Sequence, residues 1–98
     1  MLTEQELFEK IELAVRTVLN TEKGQITRQS MFKTDLKTES IDYLDISYEI
    51  EQQTGIELDF TEALLYITEN KGADVTDISV QDLVEFVMLA ASKKDSGK

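Results

Sequence analysis

The sequence predicts an all-α fold: a small bundle of three principal helices, with a long first loop and an extra short helix or lid. Three observations carry this expectation. Apolar residues recur at steps of three and four in separate stretches of the chain. Two of those stretches open on a threonine or serine followed three residues later by an acid, the capping-box pattern. No run of alternating β-branched residues reaches strand length with a partner to pair with.

The first helix is expected over about 4–20. Thr3 and Glu6 form its capping box, and Leu7, Ile11, Ala14, Val15 and Val18 form its apolar stripe. Glu4, Glu6 and Glu9 lie toward the N-terminal end, where the helix dipole favours acids. Asn20–Gly24 is turn-like and ends it. Residues 24–39 show no sustained period. They read as a long ordered connection held to the core by Ile26, Met31, Phe32 and Leu36.

A second helix is expected over about 40–53. Two apolar stripes can be drawn on it, one through Tyr43, Ile46, Ser47 and Ile50, the other through Ile41, Leu44 and Tyr48. One should face the core and the other should leave apolar surface outside. Thr54-Gly55 is the stop signal, with Gly55 free to take the left-handed conformation. Ile56–Phe60 alternates but is too short for a sheet and reads as an extended link. A short helix or lid is expected in about 60–72, built on Ala63, Leu64, Leu65, Tyr66 and Ile67. The last principal helix is expected over about 79–91. Ser79 and Asp82 open it, and Val80, Leu83, Val84, Val87 and Met88 supply its stripe. Residues 1–92 thus read as one domain and 93–98 as a flexible polar tail.

Composition excludes several functions. The 98 residues hold 20 acids and 10 bases, no histidine, no cysteine and no proline, for a net charge of −10. Such a charge argues against nucleic acid or anionic membrane as partner and favours basic proteins. Zinc sites built from Cys and His are excluded, as are Cys-His and Ser-His nucleophilic pairs and His-based acid catalysis. The acidic start is unlike a secretory signal, and the longest uncharged apolar run, Phe86–Ala91, is far short of a membrane span. A soluble, cytoplasmic, monomeric protein without enzymatic activity is expected. Nothing in the pattern suggests the burial that would tune a carboxylate pair for acid–base work. A calcium loop started at Asp35 fails, with Lys37 at its third position, Ser40 at its sixth and Ile46 at its twelfth.

The charge is concentrated. Between Lys37 and Lys71 lie Glu39, Asp42, Asp45, Glu49, Glu51, Glu57, Asp59, Glu62 and Glu69, nine acids with no base among them. Like charges at helical spacing repel by a few tenths of a kcal/mol per pair. A helix built for stability alone would alternate signs, so this band reads either as a solvated face or as a docking surface for a basic partner. Ser40 stands at its edge, before an apolar-patterned segment. It reads either as a helix N-cap or as the anchor of a phosphate, which a helix N-terminus favours.

Phe32, Asp35, Leu36, Glu39, Ser40, Ile41 and Asp42 resemble the attachment motif of acyl carrier proteins, which reads Phe, two residues, Asp-Leu-Gly, one residue, Asp-Ser-Leu-Asp. The resemblance continues through Leu44, Asp45, Ile46 and Glu51 on the next helix, Gly55-Ile56-Glu57-Leu58 after it, and Ile78-Ser79-Val80 through Val87 at the end. It covers roughly residues 4–90. It implies that Ser40 carries a 4'-phosphopantetheine arm, transferred from coenzyme A by a phosphopantetheinyl transferase. The arm would hold acyl groups as thioesters for partner enzymes of lipid, fatty acid or secondary-metabolite synthesis. Glu39, Ile41, Asp42, Asp45, Tyr48, Glu49 and Glu51 would dock on basic patches of acyl-transferring or acyl-activating enzymes. Ile46, Ile50, Leu64 and Leu65 would line an acyl pocket. Three positions depart from the family pattern: Lys37 for glycine, Glu39 for aspartate, and Asp59 for the proline after Gly-Ile-Glu-Leu. The other readings are a peptidyl or aminoacyl carrier, which resembles Gly-Gly-x-Ser at the site, and an unmodified acidic helical adaptor.

Overall fold

A computed structural model describes residues 3–72 and 74–96, with side chains described as far as Ser92. It contains four helices and, among the described residues, no strand. The all-α expectation holds, and the short helix or lid expected in about 60–72 is a helix of 12 residues, the shortest of the four.

Helix α1 spans Glu4–Leu19. Its capping box is present in both directions: Thr3 Oγ1 accepts from the Glu6 N–H at 3.1 Å, and Glu6 Oε1 accepts from the Thr3 N–H at 2.9 Å. Asn20 ends it in the left-handed conformation, φ 57°. Helix α2 spans Ser40–Thr54 and ends on Gly55 at φ 75°. Helix α3 spans Phe60–Lys71. Asp59, which occupies the place of the missing proline, caps it by accepting the Thr61 N–H at 2.8 Å. Ala63 and Ile67, four residues apart, bury its inner face. Helix α4 spans Val80–Ser96. Ser79 and Asp82 form its reciprocal cap at 3.0 and 3.1 Å. The helix continues past the expected end near 91, since Ala90, Ala91 and the two lysines that follow all favour helix.

Helix α1 packs on α2 and α4, and α3 packs on α4. The core is made of Leu7, Ile11, Ala14 and Val15 of α1, Ile46 and Ile50 of α2, Ala63 and Ile67 of α3, and Val80, Leu83, Val84 and Val87 of α4. The choice between the two stripes of α2 is thereby made. Ile46 and Ile50 go inside, while Ile41, Leu44 and Tyr48 stay 67%, 72% and 60% exposed.

The loop from Thr21 to Glu39 is ordered by a few strong attachments. Ile26 and Phe32 are buried in the core and Leu36 packs against it. Met31 contributes through its backbone instead, in an isolated antiparallel bridge to Ser79. The Phe32 N–H donates to the Ile78 carbonyl and the Val80 N–H to the Ser30 carbonyl, each at 2.9 Å. Arg28 adds a second tie: its guanidinium binds Glu4, Gln5 and Gln81 and lies 4.4 Å from the centre of the Phe8 ring.

Candidate functional site

The loop before α2 explains why the motif residues have their types. Phe32 is fully buried and plugs the loop into the core. The Asp35 carboxylate accepts the Met31 N–H at 2.8 Å, and the Asp35 and Leu36 N–H groups return to the Met31 carbonyl at 2.9 Å. The Thr38 N–H donates to the Phe32 carbonyl at 3.0 Å. Between these anchors the chain must reverse, and Lys37 does so in the left-handed region at φ 56°. That is the conformation glycine adopts without steric cost, so the family's glycine at this place has a backbone reason.

Glu39, not Ser40, is the residue that caps α2. Its N–H donates to Asp42 Oδ2 at 3.0 Å and its carbonyl accepts the Tyr43 N–H at 3.1 Å. Ser40 is therefore the first helical residue. It is exposed, and among the described residues its hydroxyl has no hydrogen-bond partner. The capping role that the sequence leaves open for Ser40 is filled by its neighbour.

Ser40 borders a groove of about 920 Å³ between α2, the start of α3 and the Thr76–Ile78 segment. Ile78 is buried along it, and Tyr43, Leu58 and Phe60 are half-buried, as are the polar Thr38, Ser47 and Asp77. Asp77 fixes one wall. Its carboxylate accepts the Lys33 and Ile78 N–H groups, the Thr34 N–H and the Thr34 hydroxyl, at 2.8 to 2.9 Å. Burial pushes this carboxyl up, but the four donated hydrogen bonds outweigh it and hold the group below the ordinary value of 3.8. Tyr43 moves the other way: burial, then the nearby Asp77 charge, raise its phenol above 10.0.

Beside Ser40, the residues proposed by sequence form two groups, a docking set and an acyl-pocket set. Glu39, Ile41, Asp45, Tyr48 and Glu51 are exposed along α2, with Asp42 and Glu49 half-buried, and Asp42 is already engaged at the helix start. None of the nine acids between Lys37 and Lys71 lies in a salt bridge among the described residues, so the band keeps its negative potential. Of the four expected acyl-pocket residues, Leu64 alone borders the groove. Ile46 and Ile50 are fully buried in the core, and Leu65 is 57% exposed on α3. Ile46 lies on nearly the opposite side of α2 from Leu44, while Tyr43 and Ser47, at the edge of the stripe that holds Ile46 and Ile50, reach the groove. Sequence reasoning missed Leu44 as a site residue, although its stripe was visible. It also missed Thr38, Phe60 and Asp77, which reach the site only through the fold.

No protein-family model matches the chain. Similar curated proteins do exist. The chain is 33% identical over 57 residues to an acyl carrier protein of Guillardia theta, covering 58% of this chain and 70% of that one. It is 30% identical over 74 residues to an acyl carrier protein of Helicobacter acinonychis, covering 66% of this chain and 95% of the other. The chain belongs to the acyl carrier protein family. A third member, from Thermotoga maritima, is 25% identical over 88 residues, covering 89% of this chain and 94% of that one. Members of this family are carriers, not enzymes, and the chain shares that class. Among the described residues no helix is long and apolar enough to cross a membrane.

Proposed function

We propose that the protein carries acyl groups as thioesters on a 4'-phosphopantetheine arm bonded to Ser40 Oγ, and presents them to enzymes with basic docking surfaces. The observation that carries this reading is the unpartnered, exposed Ser40 hydroxyl on the rim of a groove, at the N-terminus of a helix. A phosphodiester there sits against the positive end of the helix dipole. A phosphopantetheinyl transferase would move the arm: Ser40 Oγ bonds to phosphorus, the nucleotide half of coenzyme A leaves, and the hydroxyl proton passes to the transferase. Once attached, the arm supplies the thiol that this cysteine-free chain lacks.

The site residues fit such a group. Thr38 Oγ1 is buried without a hydrogen-bond partner and borders the groove, ready for a polar arm. Glu39, Asp42, Asp45, Glu49 and Glu51, with Ile41, Leu44 and Tyr48 between them, combine an acidic rim with an apolar strip. That composition suits a basic surface with an apolar centre. The adaptor reading gives Ser40 only a capping role, and Glu39 already holds that role. The pathway is lipid or secondary-metabolite synthesis, in the cytoplasm.

Incubation with coenzyme A, magnesium and a promiscuous phosphopantetheinyl transferase tests this. The intact mass of the wild type gains one arm, and Ser40→Ala gains none. Because Ser40 is not the cap, Ser40→Ala changes stability by no more than about 0.5 kcal/mol. A wild type that stays unmodified, or an equal gain on Ser40→Ala, rejects the reading.

A further inference from the structure

An acyl group attached at Ser40 has two ways to leave water. It can lie along the open groove, or it can pass through the groove into the bundle core. The rings of Tyr43 and Phe60 stand between the two, since both line the groove and both pack against the core. Tyr43 comes from α2 and Phe60 is the first residue of α3. Their ring centroids are 4.8 Å apart in an edge-to-face arrangement. Phe32, from the loop, closes the triangle at 5.5 Å from Phe60 and 6.3 Å from Tyr43. Three separate elements therefore hold one aromatic seal, and aromatic pairs favour this geometry. The apolar residues best suited to receive a chain inside, Ile46 and Ile50, are fully buried and do not border the groove. Cores packed to native density hold no ready channel for a methylene chain.

The groove offers a different environment. Leu44, Leu58 and Leu64 line it together with Lys33, Ser47 and Thr61. Its volume of about 920 Å³ is of the size that receives small ligands. Covalent attachment at the rim keeps the local concentration of the cargo high, so a shallow site suffices.

We propose that this carrier holds its cargo in the α2–α3 groove and that the Tyr43–Phe60 pair bars the core, limiting the cargo it shelters to short or polar-substituted acyl groups. This rests on the attachment at Ser40. Acyl-coenzyme A thioesters of increasing length (acetyl, butyryl, octanoyl and lauroyl) are used by a promiscuous transferase to load the full chain, and loading is verified by intact mass. The rate of thioester cleavage by hydroxylamine is then measured for each. In the wild type the rate stops falling beyond butyryl. In Phe60→Leu and Tyr43→Leu, each verified as folded by its thermal melt, the octanoyl and lauroyl thioesters become several-fold more protected than butyryl. A wild type whose protection climbs steadily to lauroyl overturns the proposal. So do variants as flat as the wild type, since the ring pair is then not the barrier. Absence of any mass gain removes the attachment reading together with this one, whereas loading followed by a steady climb removes this one alone.

Discussion

Lys37 shows how one residue records the demands of its neighbours. The Asp35 and Phe32 attachments force the chain to reverse beside Ser40, and the reversal places a lysine at φ 56°. A non-glycine residue in that region carries steric strain on the order of 1 kcal/mol. Lys37→Gly relieves the strain while loosening the unfolded chain, so chemical denaturation should show a net gain of about 0.5 kcal/mol. A loss of stability would mean that the Lys37 side chain contributes more than its backbone costs. The attachment motif itself is legible in the sequence at this scale. The identity of the cap is not, because Ser40 and Glu39 are adjacent and either residue type can stand at a helix start. The backbone of Glu39, extended at φ −101° and ψ 168°, decides it.

At the scale of elements, α2 has two faces with separate duties. Ile50, fully buried, should cost about 2–5 kcal/mol when changed to Ala, through lost burial and the cavity left behind. Leu44, 72% exposed, should cost no more than about 0.5 kcal/mol on the same change. If α2 is the docking face, Leu44→Ala slows transfer of the arm in a kinetic mass assay although its melt is unchanged. Equal transfer rates would take Leu44 out of the docking surface. Both stripes were visible as periodicities, but periodicity has no direction: only the position of α1 tells which stripe is covered. Helix α3 carries the same lesson. Its apolar cluster was visible, but its length depends on the Asp59 cap and on the burial of Ala63 and Ile67 against the rest of the molecule.

At the scale of the whole molecule, two aspartates, Asp77 half-buried and Asp82 buried, tie distant segments together. Asp77 holds the loop at Lys33 and Thr34. Asp82 caps α4 and pairs with Lys71 of α3. For both, burial raises the carboxyl but hydrogen bonds outweigh it, and the folded value falls below 3.8. The sign follows from linkage. The native state binds protons less readily than the unfolded chain, so this stabilisation is complete above the ordinary carboxylate range. It is lost as pH falls through the lowered folded values. Asp77→Asn should therefore cost about 1 kcal/mol at neutral pH. Urea titrations at decreasing pH should show the gap between wild type and variant closing below pH about 4. A gap that stays constant into acid would mean that the Asp77 charge is not what the N–H groups require.

By itself the sequence determined where the helices lie, which serine carries the motif and where the acidic band falls. Those features depend on caps, periods and composition within a few residues of each other, and local chemistry is readable in one dimension. The tertiary structure alone decided which face of α2 is covered, that Tyr43, Phe60 and Phe32 meet beneath the Ser40 groove, and that Asp77 braces its wall. The Asp77–Lys33 contact spans 44 residues. No local pattern specifies such a pairing, because it exists only once the apolar faces of four helices have found one another and closed the core.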